Sequence, residues 1–364
     1  MSLALYRKYR PKSLGDLVGQ SYLVDIFRNS AKKGKLAHAY VFYGPRGTGK
    51  TTTARLVAKI ANCLSQNVLS KTGEPCNKCS VCEEVDRGQA MDVVEIDAAS
   101  NRGIDEIRDL KNSIRLSPSS SRHKVFIIDE AHMLTKEAFN ALLKTLEEPP
   151  EHAILILATT EYEKIPATIA SRAQRFHFNK LSLADIMGKL KIIVEKEKLK
   201  ISDDALELIA AAAEGGLRDE ESLLDQVTSM TKEVDLKTVE SIIGKVGFRK
   251  IADFADLVVN KDLGGSLKFL NQLSSSGTNL VELNKELINY FRRVLALSCD
   301  KNMEAVFQKE ITKDELSKIK IHSQKISKEK LISLLQSFIK AYSDMRYSPF
   351  PHVTIEIAEI ENLR

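Results

Sequence analysis

Five apolar runs punctuate the first half of the chain: AYVFY at 39–43, DVVEID at 92–97, KVFIIDE at 124–130, AILILAT at 153–159 and, more weakly, QRFHF at 174–178. Stretches of helical period lie between them. Apolar runs alternating with helices predict strands buried on both faces and right-handed crossovers, hence one α/β domain around a parallel sheet over residues 1–180. Local signals agree: Thr135 can cap the helix KEAFNALLKTLEE, Pro149 and Pro150 end it, and Pro166 suits the first position of a helix ATIASR that delivers Arg172. From Leu181 the strand signal nearly disappears. Ser182 with Asp185 resembles a capping box, Ser202 can cap DDALELIAAAA, and Gly215–Gly216 interrupts the chain before LRDEESLLDQV, which predicts a small helical domain over 181–243. Amphipathic runs such as IADFADLVVN, LVELNKELINYFRRVLAL and KEKLISLLQSFIKAYSDM then predict a third, all-helical domain over 244–364.

Composition adds limits. At 364 residues the chain exceeds what one core usually fills, and 43% hydrophobic residues can build several. A balance of 54 basic against 49 acidic side chains leaves +5, which permits nucleic-acid contact without requiring it. No apolar run approaches the ~20 residues of a membrane span, and MSLALYRKYRPK lacks a signal peptide's apolar core, so a cytoplasmic protein with no membrane partner is expected.

The chemistry begins after the first strand. GPRGTGKTT, from Gly44 through Pro45, Arg46, Gly47, Thr48, Gly49, Lys50 and Thr51 to Thr52, lies between a strand and the helix TTARLVAKIANCL. Glycines there let backbone N–H groups wrap phosphates, Lys50 neutralises the β and γ oxygens, and Thr51 offers its hydroxyl to Mg2+. VFIIDEAH ends a buried strand in Asp129, a carboxylate for the same Mg2+, and Glu130, which can polarise an attacking water. ATP hydrolysis is the expected reaction. Thr159 and Thr160, ending AILILATT, can orient that water or report on the γ-phosphate, although a threonine pair at a strand end also follows from β-propensity alone. The developing charge still lacks a cation, and Arg172 sits where a finger can point outward into a neighbour's site; a solvated helix-end arginine is the competing reading.

Four of the five cysteines cluster: Cys63, then Cys76, Cys79 and Cys82 at two-residue spacings. Four thiolates suit a closed structural Zn2+ site within an insertion at 63–82, while an iron–sulfur cluster or reduced thiols use similar spacings. Cys299, in a helical pattern, is expected in the core.

Taken in order, LYRKYRPKSLGDLVGQ, GPRGTGKTT, IDAASNRGIDEIRDL, FIIDEAHMLTKEAFNALLKTLEEPP, LATT, IASRAQRF and EGGLRDEESLLDQ resemble the tau/gamma ATPase subunits of the bacterial DNA polymerase III clamp loader, an AAA+ family. The match spans the first two domains; the third is similar in length and helical character to the family's collar. The resemblance implies an AAA+ phosphate-loop domain with a parallel sheet, a helical lid and an all-helical collar that joins subunits into a ring. It implies Arg172 acting in trans on a neighbour's γ-phosphate, Arg218 of GGLRD reaching its own, and Tyr6, Arg10 and Val18 lining the adenine pocket. Two departures stand out: Ala173 replaces the family's cysteine after the finger, and Glu220 replaces a small residue after Arg218. The resemblance also favours zinc and turns Asn101 and Arg102 toward DNA backbone in a central channel, where on sequence alone they equally form a solvated first helical turn. It brings the helix beside RLSPSSSRHK near a sliding clamp.

The expected role is therefore an ATP-hydrolysing subunit that loads a sliding clamp onto primed DNA, with delta and delta-prime subunits and copies of itself as partners. Longer family products carry further modules that contact the polymerase core and the replicative helicase. Two rivals remain: a branch-migration motor, and a nucleotide-locked scaffold that never hydrolyses.

Overall fold

The apolar runs become strands β1 (Ala39–Tyr43), β2 (Val93–Asp97), β3 (Lys124–Asp129), β4 (Ala153–Thr159) and β5 (Gln174–His177). The structure, a computed structural model, describes residues 4–100, 104–212, 216–231, 233–243, 248–308, 311–345, 348 and 350–363. The five strands form one parallel sheet in the order β2-β3-β4-β1-β5. Residues 1–181 and 215–222 make one compact unit, and 182–214 with 223–364 a second.

Pleating divides the strand side chains between two cores. Tyr40, Phe42, Val125, Ile127, Ile154 and Ile156 pack with Phe27, Leu56 and Val57 on one face. On the other face, Val41, Phe126, Ile128, Leu155 and Leu157 meet Leu110, Phe139 and Leu142. At about 1.5–3 kcal/mol for each fully buried side chain, these two layers outweigh any contribution from exposed ion pairs. They hold the strand ends in fixed order. Because β4 lies between β1 and β3, the residues after β4 stand between the loop leaving β1 and the acids ending β3. Ligand sites of open parallel sheets form at this carboxyl edge.

Helix caps follow the expected chemistry. Thr135 accepts from the Ala138 N–H, Ser182 and Asp185 form a reciprocal capping box, and Ser202 accepts from Ala205 N at 3.3 Å. The helix before Arg172 is a single turn, Ala167–Ala170, and Pro166 is its N-cap rather than its first residue, because its ψ of 137° is extended. The second unit carries one feature the sequence pattern hides, a two-stranded parallel pair of Lys200–Ile201 with Glu233–Val234. Two residues per strand are too few to register as a period. Cys299 corrects another expectation: it is exposed at the last position of the helix Leu280–Cys299. The buried stripe of that helix runs through Leu283, Leu287, Phe291, Val294 and Leu297. Two residues beyond Leu297 is about 200° round the helix, on the solvent side.

Candidate nucleotide site and four-cysteine cluster

The phosphate loop turns through left-handed conformations at Gly44, Gly47 and Gly49, with φ of 143°, 76° and 98°. Gly47 has a second reason to be glycine. A Cβ there would stand 2.7 Å from Gly216 Cα, so Gly47 and Gly216 let the chain at Gly216 lie directly against the loop. Arg218, two residues on, sits with its guanidinium 5.2 Å from the centre of the Tyr6 ring. The arginine and one adenine-pocket candidate are thereby neighbours. Arg10 and Val18 are half-buried, as is Thr52 at the start of the helix Lys50–Asn62, whereas Pro45 and Arg46 are exposed on the loop.

Lys50 is 7% exposed, and its ammonium donates to the carbonyls of Gly44 and Pro45 at 2.8 and 2.7 Å. Burial lowers its pKa, against the opposing pull of Glu130 and Asp129. Thr48 closes the loop by donating to Pro45 O at 2.8 Å. Thr51 donates its hydroxyl to Asp129 Oδ2 at 2.8 Å, which brings together the two groups expected to hold Mg2+. A hydroxyl and one carboxylate, with substrate phosphates and water supplying the remaining oxygens, fit the sparse protein ligation that Mg2+ favours.

Glu130 adopts φ 47° and ψ 44°, an uncommon conformation for a non-glycine residue. Thr160 donates to its Oε2 at 3.3 Å. Thr159 turns the other way, fully buried, toward a residue that motif reading passed over: His132. His132 Nδ1 lies 3.0 Å from Thr159 Oγ1 and 3.5 Å from Glu130 Oε2, while Nε2 lies 3.2 Å from Glu161 Oε1. Glu161 N in turn donates to Thr159 Oγ1 at 3.0 Å. With Nε2–H donating to Glu161, Nδ1 accepts the Thr159 hydroxyl proton, and the loop of bonds closes. Glu161 is also held below the usual carboxylate range, first by its hydrogen bond to Lys164. The available signal was position, since DEAH places the histidine one short turn beyond the acid pair.

Arg172 makes its hydrogen bonds away from the chain's own phosphate loop. Its guanidinium reaches Glu147 Oε1 at 2.8 Å and the Thr168 carbonyl at 2.7 Å. Both side chains of that ion pair are partly exposed, so the pair is worth about 0–1 kcal/mol and is easily exchanged. Asn101 and Arg102 lie outside the described residues.

The four sulfurs of Cys63, Cys76, Cys79 and Cys82 all lie within 4.8 Å of one another. Cys63 ends the helix Lys50–Asn62, Cys79 caps the helix Ser80–Arg87, and Cys82 follows within its first turn. Tetrahedral Zn–S bonds of about 2.3 Å place sulfurs about 3.8 Å apart, so the cluster fits a small all-sulfur site. Burial pushes the Cys63 and Cys82 thiols up. At Cys76 the effect of burial is outweighed by hydrogen bonds from Ser65 and the N–H groups of Lys78 and Cys79, and the pKa falls to about 6.

Three family models match the chain in succession. One described as DNA polymerase III, delta subunit, covers residues 19–182; the clamp loader subunit ATPase lid domain covers 185–233; and domain III of subunits gamma and tau covers 234–361. The tau subunit of DNA polymerase III from Bacillus subtilis (strain 168) is 41% identical over 98% of this chain, which spans 62% of that relative. The gamma subunit from Buchnera aphidicola subsp. Acyrthosiphon pisum is 36% identical over 97% of the chain and 96% of its own length. Among solved structures, the Thermotoga maritima RuvB Holliday junction branch migration motor matches with a TM-score of 0.50 at 18% identity, over 74% of this chain and 86% of its own. At that identity the likeness concerns the AAA+ fold alone. The near-complete overlap with a gamma subunit, together with the three successive matches, means that the chain belongs to the gamma/tau family of DNA polymerase III clamp-loader subunits.

Proposed function

We propose that this chain is an ATP-hydrolysing subunit of a clamp loader that places a sliding clamp onto primed DNA. The observation that carries the reading is the meeting of Lys50, Thr51, Asp129 and Glu130 at one sheet edge, with Gly216 against the same loop and Arg218 over the Tyr6 ring. Lys50 would exchange its two carbonyl partners for β and γ oxygens. Glu130, with Thr160 beside it, would take the proton of the attacking water, and Thr159 with His132 would report on the γ-phosphate. Mg2+ held by Thr51 and Asp129 would supply charge neutralisation across the phosphates. Arg172 would leave Glu147 for the γ-phosphate of an adjacent subunit, while Arg218 would sense the chain's own nucleotide. Binding would tighten a ring and raise affinity for clamp and DNA; hydrolysis would release both, the drive coming from the difference between ATP and ADP states.

The remaining assignments belong to the same proposal. Three domains, meeting near 180 and 243, are supported at the first boundary by family matches ending at 182 and restarting at 185; the second restart, at 234, precedes our boundary by several residues. Zn2+ is the metal we assign to the four cysteines. Asn101 and Arg102 are our DNA-backbone contacts. Delta-type and delta-prime-type subunits, copies of this chain, the clamp and primed DNA are the partners we assign, with polymerase core and replicative helicase as further partners through a longer form. Among the described residues, no helix is long and apolar enough to cross a membrane, and we propose a cytoplasmic site of action.

The test is ATP hydrolysis by this chain with the other loader subunits, with and without clamp and primer–template. Stimulation that requires primed DNA and rises with clamp is expected, and Lys50→Ala should abolish nucleotide binding. Equal stimulation by unprimed duplex, with no response to the clamp, would replace loading by a motor activity.

A further inference from the structure

The four-cysteine insertion touches the nucleotide site through the N-terminal segment. Glu74, just after the helix Gln66–Thr72 and before Cys76, is 19% exposed, accepts three hydrogen bonds and makes an ion pair with Arg28. Its Oε2 takes the Leu14 N–H at 2.7 Å, and its Oε1 takes the Gly15 N–H at 3.0 Å and the Arg28 guanidinium at 2.6 and 2.7 Å. Leu14 and Gly15 open a short helical turn, Leu14–Asp16, so the carboxylate satisfies N–H groups that the turn itself leaves without partners.

Two further ties run the same way. Gly73, at φ 74°, lies so close to the Arg28 backbone that a Cβ would come 2.6 Å from the Arg28 carbonyl oxygen. Lys59, 1% exposed, joins Asp86 of the insertion's second helix at 2.8 Å to the Lys12 carbonyl at 3.0 Å. The segment so anchored continues directly into the site. Leu17 is the nearest neighbour, 3.7 Å away, of the place where a Cβ on Gly49 would stand; Val18 follows, and Gln20 exchanges two hydrogen bonds with the Asn179 backbone. Backbone N–H groups donating to a half-buried, multiply bonded carboxylate set position rather than chemistry.

We infer that the insertion braces the N-terminal wall of the nucleotide site, with Glu74 as its positioning residue for the adenosine end of the ligand. The inference rests on the reading that the segment through Val18 lines the adenine pocket. The full chain, metal-loaded, is titrated calorimetrically with ATP and with inorganic triphosphate, each with Mg2+, for the wild type, Glu74→Ala and Glu74→Gln. Metal content per chain and melting temperature are measured alongside.

Glu74→Ala should weaken ATP about tenfold, leave triphosphate affinity unchanged and retain its metal. Glu74→Gln, which keeps acceptor oxygen but loses the charge facing Arg28, should fall between. Preserved preference for ATP over triphosphate in both variants would overturn the brace, as would an equal loss for the two ligands, which marks general loosening. A wild-type chain that binds ATP no better than triphosphate would instead overturn the adenine reading beneath it.

Discussion

At the scale of single residues, the acid pair is held by neighbours that no phosphate-loop motif names. Glu130 is held in a left-handed backbone conformation, and its carboxylate sits between the Thr160 hydroxyl and the His132 ring. His132 is anchored by Glu161 through Nε2 and by Thr159 through the same Nδ1 that faces Glu130, so it would fix what surrounds the proposed catalytic carboxylate. Asparagine cannot span both anchors. Since misplacing a reacting group by about 1 Å can cost up to ~100-fold, His132→Asn should lower kcat at least tenfold while nucleotide affinity stays within about twofold. Stopped-flow single-turnover hydrolysis, set beside equilibrium ATP binding, separates the two. A matching loss of binding would mean that the ring merely supports the fold. That Lys50, Thr51, Asp129 and Glu130 would meet was legible in GPRGTGKT and FIIDEAH, because a phosphate site would dictate both residue type and spacing. His132 was not, because a buried imidazole shows its purpose only when its partners from β4 are in view.

At the scale of elements, strands and caps follow from period and local hydrogen bonding, while contacts between distant segments do not. The capping box at Ser182 is readable because its two members are three residues apart; Glu74 meeting Leu14 sixty residues earlier is not. The same limit hid a buried carboxyl in the last domain. Glu359, on the helix Pro351–Leu363, is fully buried against Ser266 of the helix Leu263–Ser275, and one of its oxygens has no hydrogen-bond partner among the described residues. Burial raises its pKa to about 8, against the opposing pull of the Ser266 bond and with a smaller push from Glu356. The folded state therefore holds a proton that the unfolded chain releases above a pKa of roughly 4.3. Its contribution is fully present below that pH and is lost as pH rises toward 8, at ~1.4 kcal/mol for each unit of separation. Melting temperatures measured from pH 5 to 9 should fall more steeply for the wild type than for Glu359→Gln, which keeps a neutral side chain throughout. Parallel slopes for the two proteins would show that the carboxyl is already ionised in the fold.

For the whole molecule, the question is whose phosphate Arg172 meets. Among the described residues, every hydrogen bond of its guanidinium goes to Glu147, Ser171 or the Thr168 carbonyl, and none to its own phosphate loop. The Glu147 pair is too weak, at about 0–1 kcal/mol, to keep the arginine from a phosphate. Arginine fingers are worth about 10³–10⁵ in rate, so an Arg172 acting in trans, as proposed, would make each site depend on a second subunit. A mixing experiment tests this directly. Lys50→Ala chains lack a working site but keep their finger; Arg172→Ala chains keep the site but lack the finger. Loaders assembled from either variant alone should show almost no stimulated hydrolysis. Equal mixing should restore about a quarter of the wild-type rate, the chance of ½ × ½ that a finger-bearing subunit stands beside an intact site in a closed ring. If mixing restores nothing, then Arg172 serves its own chain, and the dependence of each site on its neighbour disappears with it.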